Sequence, residues 1–403
     1  MQSQFDFLIH NVQIASMAAN SEAYGEIKDA CVAIKNGNIE FIGNQHDFDG
    51  EVDTYVDGEG QWLLPGFVDC HTHIVYGGDR ANEFEMRLNG VSYQTIAQQG
   101  GGIKSTVKAT REASFESLLA SASSRAQALL DEGVMTLEIK SGYGLDLQNE
   151  IKMLEVAKQI AKDLPVNVST TYLGAHALPL EYKDDADGYI DFVCDTVLPK
   201  IYELKLADSV DVFCETIGFN TAQCERVFKS AKQFGLNIKA HVEQLSDLKG
   251  AKLAASYNAI SVDHIEYLEP EDAFALKQSN TVAVLLPGAF YFLKETQKPP
   301  VNALRQNSIP MAVATDLNPG SSPIASILTC ANMACVLFDL TPEEALKGIT
   351  INAASALGLN DRGQIQTGMR ADLCLWNIAH PAQLIYAVNQ HKPVKKWFGG
   401  KLV

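Results

Sequence analysis

The chain opens on stretches in which apolar and polar residues alternate, DFLIHNVQIAS and then CVAIKNGNIEFIG. Alternation with period two marks strands with one face buried, and the Asn36-Gly37 pair is a two-residue hairpin signal. Residues 5 to about 62 therefore predict a small β domain. The last forty residues return to this style with GQIQTGMRADLCLWN and PVKKWFGGKLV, after a helical pattern over 341–357. The two ends are expected to pair in one sheet system, because chain termini often lie close together. Between them the pattern changes to short apolar runs at 66–71, 134–140, 166–172, 210–214, 237–241, 260–264, 281–286 and 311–315, separated by helical stretches such as 115–131 and 147–162. Continuous apolar runs are expected of parallel strands covered on both faces. Eight strand–helix units predict an α/β fold, a (β/α)8 barrel, with a doubly wound open sheet as the competing arrangement. The expected organisation is a β-sandwich domain built from residues 1–63 and 358–403, flanking a barrel over 64–357.

Composition narrows the function. With 403 residues, 46% of them apolar and 20% charged, the chain can bury a large core. Lys+Arg number 32 against Asp+Glu 49, a net charge of −17 that repels a phosphate backbone or an anionic membrane surface. Nucleic acid is excluded as a partner on this ground, and a small-molecule substrate is expected. Cys31, Cys70, Cys194, Cys214, Cys224, Cys330, Cys335 and Cys374 are scattered singly, with no CxxC pair, which suits a reducing compartment. The N-terminus lacks the basic start and apolar stretch of a signal peptide, and no apolar run approaches the ~20 residues that span a bilayer. A cytoplasmic location without membrane contact is expected.

Five of the nine histidines, His71, His73, His176, His241 and His264, fall at or just beyond the C-terminal ends of expected strands. That is the end of a barrel where active sites are built. His71 and His73 are two apart, so on a strand both imidazoles point to one side. His241 ends NIKAH, His264 ends ISVDH and Asp316 follows PMAVAT, so donors recur on the fifth, sixth and eighth strands. Imidazole with carboxylate suits Zn²⁺ or Fe²⁺ better than Ca²⁺ or Mg²⁺. A catalytic ion needs an open position for water, which assigns His71, His73, His241 and Asp316 to one divalent metal and leaves His264 to hydrogen-bond beside it. The plainer alternatives are a core histidine at His264 and a turn aspartate at Asp316, since Asn318-Pro319-Gly320 follows.

The combination of LPGFVDCHTH, AH at 240–241, DH at 263–264 and ATD at 314–316 resembles the amidohydrolase superfamily of metal-dependent barrel hydrolases, over nearly the whole chain. More narrowly, HTHIVYGGDRANEF, EIKSGYGLD, TYLGAHALP, DVFCE, LLPGAFY and TDLNPGSSP together resemble the imidazolonepropionase family. The resemblance implies hydrolysis of the ring amide of 4-imidazolone-5-propanoate to N-formimidoyl-glutamate in histidine degradation, and a homodimer. Asp316 is then placed to accept the proton of the attacking water, and His264 to hydrogen-bond the nucleophile or the developing oxyanion. Arg80 in GGDRANEF matches the family's substrate arginine and can offer a fork to the propanoate. Its plainer reading is a surface arginine paired with Asp79 or Glu83. Tyr143 and His176 match family substrate contacts. Gln244 matches the position that contacts the ring and is counted with the catalytic residues, although an amide cannot titrate. The adjacent Glu243 is the alternative proton carrier. Asn318, Gly320 and Ser321 are similar to the family's product-binding loop, where turn chemistry alone would also place Asn and Gly.

Two tempting signals are set aside. GGGIKS at 100–105 lacks phosphate-loop spacing and is expected to be a flexible loop near the substrate. Cys70 should point away from the flanking His71 and is expected to pack rather than react. The fourth strand ends DVFCET without the lysine that bridges two metals in binuclear relatives, so one ion is favoured. The competing functions are an aminohydrolase that deaminates another nitrogen heterocycle, which would have no need of Arg80, and a non-catalytic scaffold, which would have no need of the ligands.

Overall fold

A computed structural model describes residues 5–18, 22–91, 95 and 100–403. Residues 1–4, at the head of the first expected strand, lie outside the described part. Eight parallel strands, Phe67–Asp69, Val134–Lys140, Asn167–Ala175, Ser209–Cys214, Asn237–Val242, Ser261–His264, Val282–Leu285 and Met311–Val313, pair in strictly sequential order. Helices stand between most of them, as in Phe115–Leu130 and Leu147–Asp163. The first and eighth strands meet beyond their regular parts: the Asp316 N–H donates to His71 O at 3.0 Å, and the His73 N–H to Leu317 O at 3.0 Å. The open-sheet alternative is thereby set aside, because the sheet closes on itself. These closing bonds lie among the site residues, so barrel closure and site geometry are the same contacts.

The termini build a second, mixed sheet in which Trp62–Pro65 lies between Phe5–Ala15 and Leu373–Trp376. The turn between Glu26–Lys35 and Asn38–Asn44 has positive φ at both Asn36 (51°) and Gly37 (81°), the backbone that matches hairpin twist. The free edge of Asn38–Asn44 is partly covered: Ile39 N–H donates to Met369 O at 2.8 Å, and Gly368 N–H to Ile39 O at 2.8 Å. Ile9, Val32, Ile34, Leu63, Leu373 and Trp397 form its buried core. Only Gly66 separates Trp62–Pro65 from the first barrel strand. A Cβ at Gly66 would come within 2.5 Å of Met135 Sδ, so the glycine lets this sheet run directly into the barrel. Phe67 stacks on Trp376 with ring centroids 5.5 Å apart, locking the joint that aims His71 and His73.

Two expectations are corrected. The helical pattern over 341–357 is two helices, Pro342–Gly348 and Ile351–Ala356. The β-branched run Ile349-Thr350-Ile351 favours a break, and Thr350 Oγ1 donates to Leu346 O at 2.6 Å to close the first helix. The segment at 100–105 is not wholly a loop. Gly100 and Gly102 have φ of 84° and 76°, and from Ile103 onward the chain is the helix Ile103–Glu112. No helix among the described residues is long and apolar enough to cross a membrane.

Candidate active site

The strands deliver the anticipated residues to one end of the barrel, around a cavity of ≈ 540 Å³. His73, Arg80, Tyr143, His176, His241, Gln244, His264, Asp316, Asn318, Gly320 and Ser321 all line it. His71 lies beneath, with no exposure at all.

At its floor three imidazole nitrogens converge, those of His71, His73 and His241, with a carboxylate oxygen of Asp316 beside two of them. His73 Nε2 is 3.2 Å from His71 Nε2 and 3.4 Å from His241 Nε2, and Asp316 Oδ1 is 3.4 Å and 3.5 Å from the Nε2 atoms of His71 and His73. Donors held at about 2.0–2.1 Å by a tetrahedral ion lie about 3.3–3.4 Å apart. The three imidazoles therefore form a group that could hold one divalent metal, with Asp316 at its side. The chemistry of the donors agrees. Burial, then the charge of Lys140, holds His71 and His241 well below the ordinary imidazole range, and burial, then His241, does so for His73. They are neutral, as ligands must be. Burial also pushes the Asp316 carboxyl well above the usual range, against the hydrogen bond from Asn318 and the charge of Lys140.

Carboxylates fix the imidazoles from behind. His71 Nδ1–H donates to Asp263 Oδ2 at 2.6 Å, and His241 Nδ1–H donates to Asp211 Oδ1 at 3.1 Å. A proton held on Nδ1 leaves the Nε2 lone pair facing the floor. His71, Glu138 and Asp263 also lie close enough to form a metal group. That space holds ammoniums instead: Lys140 Nζ is 3.0 Å from Glu138 Oε2, and Lys239 Nζ is 3.4 Å from the same oxygen. One ion rather than two fits the floor.

His264 closes one side, its ring 5.8 Å from His71 and 5.5 Å from His241 between centroids. Burial lowers its pKa to about 4, and its Nδ1 has no hydrogen-bond partner among the described residues. His264 and Ile265 both adopt positive φ (80° and 63°), as does Asp316 (51°). Such backbone costs about 1–3 kcal/mol per residue and clusters where geometry is functional. His176 stacks on His73 with centroids 5.5 Å apart, and its Nδ1–H donates to Gly142 O at 2.9 Å. The Tyr143 ring lies 5.3 Å from His176.

Arg80 sits at the start of the helix Ala81–Leu88. Its Nε and Nη2 donate to Glu83 Oε2 at 2.9 and 2.8 Å, so the pairing with Glu83 is present. It uses the Nε–Nη2 edge of the guanidinium, and among the described residues Nη1 has no hydrogen-bond partner. Glu83 also accepts from Ser105 Oγ at 3.0 Å and Gly102 N at 3.1 Å, tying the glycine segment to the arginine. Asn318 Oδ1 accepts from the N–H groups of Gly320 and Ser321, both at 2.8 Å. Turn bonding therefore shapes this loop even as it lines the cavity.

Glu243 does not share the site with Gln244. Its oxygens accept from Gly250 N at 2.6 Å and Ala251 N at 2.9 Å, at the start of Gly250–Ser256. Burial raises its pKa to about 7 against those bonds, but it caps a helix and does not line the cavity. Cys70 packs with Val68, Leu286 and Ala312, and burial raises its thiol well above the usual range. Sequence reasoning missed Arg87 and Glu295, which also line the cavity. Arg87 was findable: it follows Arg80 by seven residues, two helical turns, on the same face. Asp211, Lys140, Lys239 and Glu138 were missed as well.

These features place the chain in a class before any particular relative is considered. A model of the amidohydrolase family matches residues 62–403, and the chain belongs to that family. Solved structures of the same fold include an adenosine deaminase from Xanthomonas campestris with bound zinc (TM-score 0.70, 20% identity, covering 99% of this chain and 92% of that one). Another is a 5-methylcytosine deaminase from Klebsiella pneumoniae (TM-score 0.74, 14% identity, covering 98% and 97%). Within the family the chain is an imidazolonepropionase family member. The imidazolonepropionases of Pseudoalteromonas atlantica and Alteromonas mediterranea are 58% and 59% identical to it, each with 100% of both chains covered. That of Colwellia psychrerythraea is 57% identical, covering 93% of this chain and 92% of the relative.

Proposed function

We infer that the protein hydrolyses the ring amide of 4-imidazolone-5-propanoate, releasing N-formimidoyl-glutamate. Full-length identity to imidazolonepropionases carries this reading, and a cavity that pairs a metal-type floor with a guanidinium on its wall supports it. Zn²⁺ and Fe²⁺ both suit three imidazoles and a carboxylate. His71, His73, His241 and Asp316 are the proposed ligands. A divalent ion bound there supplies Lewis acidity, lowering the pKa of water toward about 7 and polarising a carbonyl.

The chain's own groups do the rest. Asp316, with an oxygen 3.4–3.5 Å from the Nε2 atoms of His71 and His73, takes the proton from the attacking water. His264, neutral at physiological pH by its lowered pKa, hydrogen-bonds the nucleophile or the developing oxyanion. Arg80 receives the propanoate on the guanidinium edge that Glu83 leaves free, with Tyr143 and His176 beside it. Gln244, at the cavity wall, positions the ring by hydrogen bonds, since its amide cannot carry a proton between steps. Asn318, Gly320 and Ser321 contact the acyclic product. The protein acts as a soluble cytoplasmic homodimer in this reading.

A Cβ at Gly320 would fall 2.4 Å from Arg80 Nη1. Gly320→Ala is therefore expected to displace the guanidinium and raise KM about tenfold, the loss of roughly one hydrogen bond to a charged group. The melting temperature should be nearly unchanged, because the flexible arginine end can move. Steady-state kinetics alongside a thermal melt check both. The reaction itself is tested by offering the holoenzyme 4-imidazolone-5-propanoate, cytosine and guanine in parallel and following ring absorbance and ammonia. Ring opening of the first without ammonia is expected. Ammonia from the aminated rings, with the imidazolone untouched, would move the protein to the deaminases.

A further inference from the structure

We propose that Lys140 is a positioning residue of the metal centre, the cation that contacts both of the carboxylates behind two of its three imidazoles. The observation is a charge cluster sealed inside the barrel. Glu138, Lys140, Asp211, Lys239 and Asp263 come from the second, fourth, fifth and sixth strands, and none has measurable exposure. Lys140 Nζ donates to Asp211 Oδ2 at 2.7 Å and lies 3.0 Å from Glu138 Oε2 and 3.5 Å from Asp263 Oδ2. Asp211 holds His241 through both its backbone N–H and Nδ1, at 3.2 and 3.1 Å. Asp263 holds His71, and its other oxygen accepts from Ser261 Oγ at 2.6 Å. One ammonium thus stands at the junction of both carboxylate–imidazole pairs.

Lys239 differs, although it is equally buried. Its Nζ donates to Cys70 O and Ala356 O, both at 3.3 Å, and it stays 3.9 Å from Asp263. It braces backbone. Three carboxylates face two ammoniums in the cluster, so an excess negative charge lies under the floor where a dication fits. In a dry interior, charges at these distances are weakly screened, and their hydrogen bonds set the direction of each imidazole lone pair. Without Lys140, Asp211 loses its nearest cation and the pull that sets its oxygens against His241. The floor then opens, and the ion is held less tightly.

The proposal rests on the reading of His71, His73, His241 and Asp316 as ligands, and the test separates the two. Zn²⁺ affinity is measured on folded protein by competition with a chromophoric chelator, for wild type, Lys140→Met and Lys239→Met, with the visible spectrum of the Co²⁺-loaded forms recorded beside it. Lys140→Met is expected to bind Zn²⁺ at least about tenfold more weakly, the range found when groups behind metal ligands are removed, and to shift the Co²⁺ spectrum. Lys239→Met is expected to lower the melting temperature while its affinity stays within about threefold, since it does not contact Asp211 and leaves Lys140 in place against both carboxylates. Wild-type affinity and an unchanged Co²⁺ spectrum in Lys140→Met would overturn the proposal and leave the cluster a structural brace. Should Lys140→Met fail to fold, Lys140→Gln, which removes the charge and keeps a hydrogen-bond donor while leaving Asp211 in place, is measured instead. It is expected to lose affinity by at least about tenfold, and wild-type binding there would overturn the proposal equally. A wild-type protein that takes up no Zn²⁺ would instead sink the ligand reading, and this proposal with it.

Discussion

Asp316→Asn is expected to lower kcat about a thousandfold, in the middle of the range for loss of a positioned proton acceptor. The asparagine is isosteric and can still offer an oxygen 3.4–3.5 Å from the imidazole nitrogens of His71 and His73, but it cannot take up a proton. The loop that follows should persist, because Asn318 Nδ2 donates to the backbone oxygen of residue 316 at 2.7 Å, not to its side chain. The variant should therefore fold and retain most of its metal. Steady-state kinetics with metal content by atomic emission would check this. Turnover at the wild-type rate with a full equivalent of metal would remove Asp316 from the proton transfer.

Arg80→Met is expected to raise KM for the imidazolone propanoate about 10- to 150-fold, with kcat within a few-fold. That is the worth of a hydrogen bond to a charged group, about 1.5–3 kcal/mol, expressed in binding because the propanoate lies away from the bond that breaks. The methionine keeps the apolar stem. A neutral ester of the substrate should lose little between wild type and variant, which separates lost charge from lost packing. If acid and ester suffer alike, or if KM for the acid does not move, the anion is recognised elsewhere. Arg87, on the same wall, would be the next residue to substitute.

Much of this site could be read from the chain because its ligands stand at strand ends, where an apolar run stops at a histidine or aspartate. LPGFVDCHTH, NIKAH and PMAVAT-Asp each show that boundary, and barrel topology then brings the ends together. The charge cluster beneath was hidden for the complementary reason. Glu138 and Lys140, or Lys239 and His241, are spaced two apart in otherwise apolar strands, which reads as one solvated face. Only closure of the barrel turns that face inward and makes neighbours of residues that are seventy or more positions apart, such as Lys140 and Asp211. Glu243 was ambiguous because its role is set by the helix at Gly250–Ser256 that its carboxylate caps, and sequence adjacency to Gln244 carries no direction. The glycines of 100–105 by themselves signal a loop, yet Glu83 anchors the segment from a helix nearly twenty residues earlier.

The central claim is that three imidazoles and Asp316 hold one divalent ion that the ring-opening reaction requires. It is tested most directly by following the ultraviolet loss of freshly prepared 4-imidazolone-5-propanoate with three samples of the enzyme: as purified, after exhaustive chelation, and after return of one equivalent of Zn²⁺ or Fe²⁺. The product is identified by mass spectrometry. The account predicts loss of activity on chelation, its return at one equivalent of metal without further gain at two, and N-formimidoyl-glutamate as the product. Full activity in protein shown to be free of metal would contradict it.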